Sequence, residues 1–204
     1  MAARIRFPPL RAAALLVAAV AVTNISGSPG KPVPPAALLP AAAVAGTARD
    51  EFAVTTAPST QDRDGGCTAV VHGRLLDGGP VDGQGFQTAV PGGQLSELVA
   101  RAPTDLTAWT AQARRCAQVT VDDGDLPTVS TLTLATPPAV PGAETLSYRQ
   151  LLSLPGQSTG LRLRTVAIAA DDVLLVLRDA GATGLDLDTL AVAAWQHASP
   201  LLGR

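Results

Sequence analysis

One uninterrupted apolar run, "VLLVL" at 173–177, constrains the fold of this chain more than any other stretch. Because no polar side chain interrupts it, the run predicts a central strand that is covered on both sides. The segment before it, "GLRLRTVAIAA" (160–170), opens with Leu161 and Leu163 alternating with Arg162 and Arg164. A period of two is typical of a strand with one solvent-exposed face. These two strands would be joined by a short acidic turn at Asp171 and Asp172.

Further strand-like segments precede this pair. The stretch "QVTVDDGDLPTVSTLTLAT" (118–136) predicts two strands joined by an acidic turn, and "ETLSYRQLLSL" (144–154) predicts a third, with a helix as the less favoured alternative. Upstream, "GQGFQTAV" and "QLSELVAR" predict a hairpin that turns at Gly92 and Gly93. The stretch "CTAVVHGRLL" (67–76) fits either a short helix or a strand.

Two longer helices complete the predicted domain. The first begins after a cap at Thr104 or Asp105, and its apolar residues recur at spacings of three and four: Leu106, Trp109, Ala113 and Cys116. The second begins after Asp186 or Asp188 and is shortened by Pro200. Trp109 and Trp195, one on each helix, are expected in the core. A run of antiparallel strands with segregated helices predicts an α+β fold, with a single antiparallel sheet and helices packed on one face.

The N-terminus predicts export. Residues 1–27 combine three arginines with the apolar run "AAALLVAAVAV", which fits a signal peptide and is shorter than the roughly twenty residues of a membrane span. Residues 28–49 are rich in proline and alanine and predict a disordered linker before a folded domain at 50–204. A secreted or extracytoplasmic envelope location follows, without a stable membrane span in the mature chain. Whether the N-terminal segment is cleaved or kept as an anchor stays open.

Two cysteines, Cys67 and Cys116, are the only thiols. An even count in an exported chain favours a disulfide, whereas two buried free thiols are the usual arrangement in a cytosolic protein. The compartment therefore decides between these alternatives.

Overall composition argues against nucleic acid as a partner. The formal net charge is −2 and aromatic residues make up 3% of the chain, so neither a basic field nor a set of stacking platforms is present.

The string "GQSTG" (156–160) matches the G-x-S-x-G pattern of hydrolases, with Ser158 as the nucleophile. That pattern works at a strained turn between a strand and a helix, whereas here an alternating strand follows. Ser158 is therefore interpreted as a residue of a hairpin loop. No catalytic residue and no enzymatic activity are predicted.

Candidate ligand groups are sparse. His72 and His197 are too few for a zinc site, and the acidic turn at 122–125 lacks the ligand pattern of a calcium loop. No metal and no cofactor are predicted. Arg162 and Arg164 share a strand face, with Arg149 on a neighbouring strand, and these three form a candidate anion-binding patch.

From about Glu51 to Leu202 the chain resembles the extracellular sensor domain of PknH-type actinobacterial serine/threonine kinases and their free-standing secreted relatives. The residues that carry the resemblance are "GGC" at Cys67, "TAWTAQARRCAQVTV" (107–121) and "RLRTVAIAADDVLLVLRDAG" (162–181). The resemblance implies helices against an antiparallel sheet, a cleft for an unidentified ligand, and a Cys67–Cys116 disulfide. This chain departs from the family in having cysteines for one disulfide rather than two, and it carries no kinase domain or second hydrophobic segment.

The sequence thus supports a secreted, non-enzymatic, sensor-like binding domain for a small molecule or an envelope component. The alternative is a structural or adhesive cell-envelope protein that acts through protein–protein contacts.

Overall fold

A computed structural model describes residues 31–44, 49–57, 66–76, 78–122 and 127–203. Within these ranges, eight strands form one antiparallel sheet in the order β1-β2-β3-β8-β7-β6-β5-β4. The strands are β1 (Arg49–Ala57), β2 (Gly79–Val90), β3 (Gly93–Arg101), β4 (Gln118–Asp122), β5 (Pro127–Ala135), β6 (Glu144–Ser153), β7 (Gly160–Ala170) and β8 (Val173–Gly181). The uninterrupted apolar run lies in β8, which is central as predicted and is buried from Val173 to Leu177.

Three α-helices accompany the sheet in the described ranges: α1 (Thr68–Val71), α2 (Leu106–Arg115) and α3 (Leu187–Leu201). The Asp105 carboxylate accepts a hydrogen bond from the Ala108 N–H at 2.6 Å, and Asp186 accepts one from Thr189 at 3.2 Å. Both are N-caps, which fixes where α2 and α3 begin. No helix of this part of the chain has the length and apolar character that a membrane crossing requires.

The helices pack on both faces of the sheet, so the prediction of helices on one face is wrong. Along β7, Val166 and Ile168 belong to the core cluster that contains α3, whereas Ala167 and Ala169 belong to the cluster that contains α2. Neighbouring residues of a strand point to opposite faces, so the two clusters lie on opposite sides. α3 packs on β7 and the central β8, whereas on the opposite face α2 packs on β5 and β6, and residues 73–76 lie beside β8.

Part of the predicted disordered linker is also packed into the domain. Within residues 31–44, here called the N-terminal segment, Val33, Ala37, Leu38 and Leu39 are at most 3% exposed and join the α3 cluster. Two short 3₁₀ turns, Pro35–Ala37 and Ala41–Ala43, shape this segment. The folded domain therefore starts well before residue 50, because these side chains bury apolar surface in its core. The segment has no periodic pattern that would have indicated this from the sequence. The predicted signal peptide at 1–27 lies outside the described residues.

Candidate ligand-binding cleft

A disulfide joins Cys67 and Cys116, with the two Cα atoms 5.6 Å apart, as predicted. It ties the start of α1 to the end of α2. Beyond α1, residues 73–76 lie over the sheet, where the indole N–H of Trp109 donates to the Arg74 carbonyl at 3.0 Å. Trp109 stacks in turn on Tyr148, with ring centroids 4.9 Å apart. The disulfide and this stack hold residues 73–76 at a fixed height above the strands.

A cleft of about 220 Å³ opens between residues 73–76 and the edge strand β1. Strands β2, β3 and β8 form its floor, on the face of the sheet that carries α2. Its lining is mainly apolar, and most of the apolar side chains are half-buried rather than sealed in the core. These side chains are Phe52, Val54, Leu75, Leu76 and Leu98.

The strand register divides the cleft floor into a polar row and an apolar row. Gln87 lies opposite Ser96, and Ser96 lies opposite Arg178, so these three side chains stand next to one another on one face. Two residues further along the strands, Leu98 lies opposite Val176 on the same face. The cleft therefore has a polar end and an apolar end.

Arg178 is the cation at the polar end. Its Nη2 donates to the Gly73 carbonyl at 2.8 Å and to the Tyr148 hydroxyl at 3.4 Å, and its Nε donates to the Thr165 hydroxyl at 3.2 Å. Every one of these acceptors is neutral. Gly73 permits the contact, because its φ is +60° and a Cβ would lie 2.3 Å from Nη2. Among the described residues no carboxylate forms an ion pair with Arg178.

Two acidic residues next to the cleft floor, Asp179 and Glu97, point away from it, whereas Asp50 lies on the cleft face of the edge strand, opposite Gln87. Asp179 follows Arg178 in the chain and therefore faces the α3 side, where it is 2% exposed and accepts a hydrogen bond from Thr183 at 2.7 Å. Glu97 contributes backbone to the cleft floor, but its Oε2 accepts a hydrogen bond from the Leu39 N–H at 2.9 Å on the α3 side. The sheet thus separates the carboxylates of Asp179 and Glu97 from Arg178.

Glu97 has a strongly perturbed pKa. Burial raises its pKa from 4.5 to about 7, against the lowering effects of the Leu39 hydrogen bond and the charge of Arg49. Its Oε1 has no hydrogen-bond partner among the described residues. Arg49 lies 3.8 Å above the Phe86 ring, and its guanidinium donates to the Leu39 carbonyl. Glu97 therefore holds the N-terminal segment to the sheet rather than facing the cleft.

The three predicted arginines share one face, but not that of the cleft. Arg149 lies directly opposite Arg164 in the register, and Arg162 is two residues along the same strand. They face the α3 side, because Val166 continues the same alternation into the α3 cluster. Arg164 donates to the Leu185 carbonyl at 2.8 Å, whereas Arg149 and Arg162 are exposed. Their role as ligand-binding residues stays a prediction.

The other sequence candidates occupy structural positions. Ser158 is exposed in the loop between β6 and β7, so "GQSTG" leads into a strand. Asp172 pairs with Arg101 at 2.9 Å. The acidic turn at 122–125 lies outside the described residues, except for the backbone of Asp122. In the part of the chain that is described, no three His, Cys, Asp or Glu residues gather in a way that could hold a metal ion.

A second depression, of about 410 Å³, is lined by loop and strand-end residues, among them Thr104, Gly142 and Asp171. Its apolar side chains are alanines, so a ligand would bury little apolar surface there. The cleft beside β1 is the better candidate despite its smaller volume.

Sequence reasoning missed Arg178, although a signal for it exists. In "VLLVLRDA", positions 174, 176 and 178 fall on the same face of a central strand, and the third is an arginine. A charge that continues an apolar face on a buried strand is unusual and points to a site.

The fold of this chain is similar to that of an extracellular domain of known structure. That structure is the extracellular domain of PknH from Mycobacterium tuberculosis, with a TM-score of 0.55 and 14% sequence identity over 85% of this chain and 99% of that chain. No family model and no curated protein matches the sequence. The expected resemblance is thus confirmed at the level of the fold, which by itself does not fix a function.

Proposed function

We propose that this protein is a secreted, non-enzymatic binding domain whose ligand occupies the cleft between β1 and residues 73–76. The observation that carries the proposal is the cleft lining itself. Phe52, Val54 and Leu76 are half-buried in the free protein and could bury further apolar surface against a ligand. A mainly apolar cleft with a few converging polar groups is the usual form of a small-molecule site.

The walls of this cleft are held in place before any ligand arrives. Residues 73–76 are fixed by the hydrogen bonds from Trp109 and Arg178, and the preceding α1 is fixed by a hydrogen bond from Gln150 to the Val71 carbonyl at 2.7 Å. A preformed site loses little conformational freedom on binding, and this favours affinity.

Binding without chemistry is supported by the partners of the cleft hydroxyl. Ser96 donates to the carbonyl of Arg178 at 3.4 Å and not to a basic side chain. A serine nucleophile requires an adjacent base to accept its proton.

An extracytoplasmic location is supported by the disulfide, which persists in oxidising compartments. The shared fold with an extracellular domain and the predicted signal peptide point the same way.

The test compares three proteins expressed in the native host and purified from its culture medium: wild type, Val54→Trp and Ala53→Trp. Val54 faces the cleft, so a tryptophan there should fill it, whereas Ala53 is exposed on the other face of the same strand. Native mass spectrometry should find a non-covalent ligand on wild type and Ala53→Trp, and lose it on Val54→Trp. A ligand retained equally by all three would place binding elsewhere. A ligand-free stable oligomer would instead favour a structural or adhesive envelope role.

A further inference from the structure

We infer that the ligand is a small amphipathic anion, with a carboxylate held at Arg178 and an apolar body lying along Leu98 and Val176. This inference rests on the proposed function, because it names the class of ligand for the same cleft. It follows from the charge, the register and the volume of the site.

The charge of the lining favours an anion. The charged side chain on the cleft floor is Arg178; the Glu97 carboxylate is turned to the other face, and Asp50, which lies on the cleft face of β1, is three strands away from Arg178. Arg178 is half-buried, and its acceptors within the described structure are neutral. A partly desolvated guanidinium is stabilised far more by a carboxylate than by neutral oxygens.

The geometry around Arg178 leaves part of the guanidinium for a ligand. The hydrogen bonds that it forms with described residues use Nε and Nη2, and none of them uses Nη1. These hydrogen bonds also fix the plane of the guanidinium, because their acceptors lie on three separate elements: the loop after α1, β6 and β7. In the same row, the Gln87 side-chain amide can donate to a second ligand oxygen, and the Ser96 hydroxyl would donate to one in exchange for its bond to the Arg178 carbonyl.

The rest of the cleft favours one apolar body of limited size. From Arg178 the floor continues through Val176 to Leu174 on the same strand face, with Phe52 on the β1 side. The volume of about 220 Å³ is below the roughly 300–1,000 Å³ of pockets for drug-sized ligands. A short or medium acyl chain therefore fits, whereas a long lipid would leave most of its length outside.

The first test uses the wild-type protein, stripped of any retained ligand, and three probes that share one alkyl chain: octanoate, 1-octanol and octylamine. Isothermal titration calorimetry at low ionic strength should give octanoate an affinity about tenfold or more above that of octanol, because hydrogen bonds to a charged group are the stronger ones. Octylamine should bind weakest. Equal binding of octanoate and octanol, or tighter binding of octylamine, would overturn the inference.

The second test removes the cation. Arg178→Gln should bring the affinity for octanoate down to that for octanol, and Arg178→Lys should keep a preference for octanoate. The matched control is Arg162→Gln, which removes an exposed arginine from the opposite face and should leave the preference unchanged. Should Arg178→Gln fail to fold by near-UV circular dichroism, the wild-type probe series still decides. An unchanged preference in folded Arg178→Gln would contradict the assignment.

Failure here can be told apart from failure of the proposed function. If the host-purified protein carries a ligand that Val54→Trp loses, yet octanoate shows no advantage over octanol, then the cleft is the site and its assigned chemistry is wrong. If Val54→Trp retains the ligand and no probe binds, both proposals fail.

Discussion

Raising the pH should destabilise the folded domain through Glu97. The carboxyl has a pKa of 4.5 in its ordinary state and about 7 when folded, because burial disfavours its charged form. The folded state binds the Glu97 proton more tightly than the unfolded state does. The contribution of Glu97 to the free energy of unfolding is therefore fully present below about pH 4.5 and is lost as the pH rises to about 7. The difference between these two pKa values corresponds to about 3 kcal/mol in the free energy of unfolding.

The assay is urea unfolding followed by tryptophan fluorescence, from about pH 4.5 to about pH 8 at constant ionic strength. Trp109 and Trp195 are buried in the clusters on opposite faces, so the signal reports on both halves of the core. Glu97→Gln keeps an oxygen that can accept the Leu39 N–H and cannot ionise. As the pH rises through this range, the free energy of unfolding of Glu97→Gln should increase by about 3 kcal/mol relative to that of wild type.

Other titrating carboxyl groups are controlled for in two ways. Asp186 has a pKa lowered chiefly by its hydrogen bonds with Thr189, so its contribution is lost as the pH falls, and taking the difference between wild type and Glu97→Gln removes it. Glu51→Gln is the matched control, because the Glu51 side chain is 54% exposed and pairs with the same Arg49. A difference between wild type and Glu97→Gln that does not vary with pH would refute the reasoning.

Two further outcomes are expected for the elements that tie the domain together. The double variant Cys67→Ser, Cys116→Ser should unfold about 4 kcal/mol more easily in urea, from the chain-entropy effect of a 49-residue separation, and a reductant should destabilise wild type to the same extent; equal stability with and without the bond would contradict this. Leu39→Ala should lower the free energy of unfolding by about 2–5 kcal/mol, since Leu39 is 2% exposed in the core. A change near zero would instead restore the interpretation of this segment as a linker.

Local features of the fold were predictable from the sequence because their signals are local. The β2–β3 hairpin, one of the two cap candidates for each long helix, and the buried β8 all follow from patterns a few residues long; the hairpin turns at Pro91 and Gly92, one residue earlier than predicted, with Gly93 opening β3. The same apolar run already argued for cover on both faces of the sheet. A fold with helices on one face does not provide that cover. In the structure α3 packs on one face of β8, and on the other face Leu174 and Val176 join the cluster that contains Leu75 and Leu76.

The N-terminal segment was beyond the reach of pattern reasoning for a different physical reason. Its core residues are held by bonds to distant side chains: Val33 N–H donates to Asp82 at 2.8 Å, and Leu39 N–H donates to Glu97 at 2.9 Å. A segment without regular structure has no period to detect. Its order comes from acceptors that are placed by β2 and β3, and these are known only once the sheet exists.

The cleft shows why a site can be invisible in a sequence whose strands are largely predictable. Gln87, Ser96 and Arg178 are far apart in the chain and become neighbours through the pairings of β2 with β3 and β3 with β8. A shift of one residue in either pairing would move a polar side chain to the opposite face and break the row. Of the three arginines that the sequence did group, Arg162 and Arg164 share one strand and needed no register, whereas Arg149 joins them through the pairing of β6 with β7. The candidate site therefore depends on the one property of a sheet that strand patterns leave open, which is how the strands align.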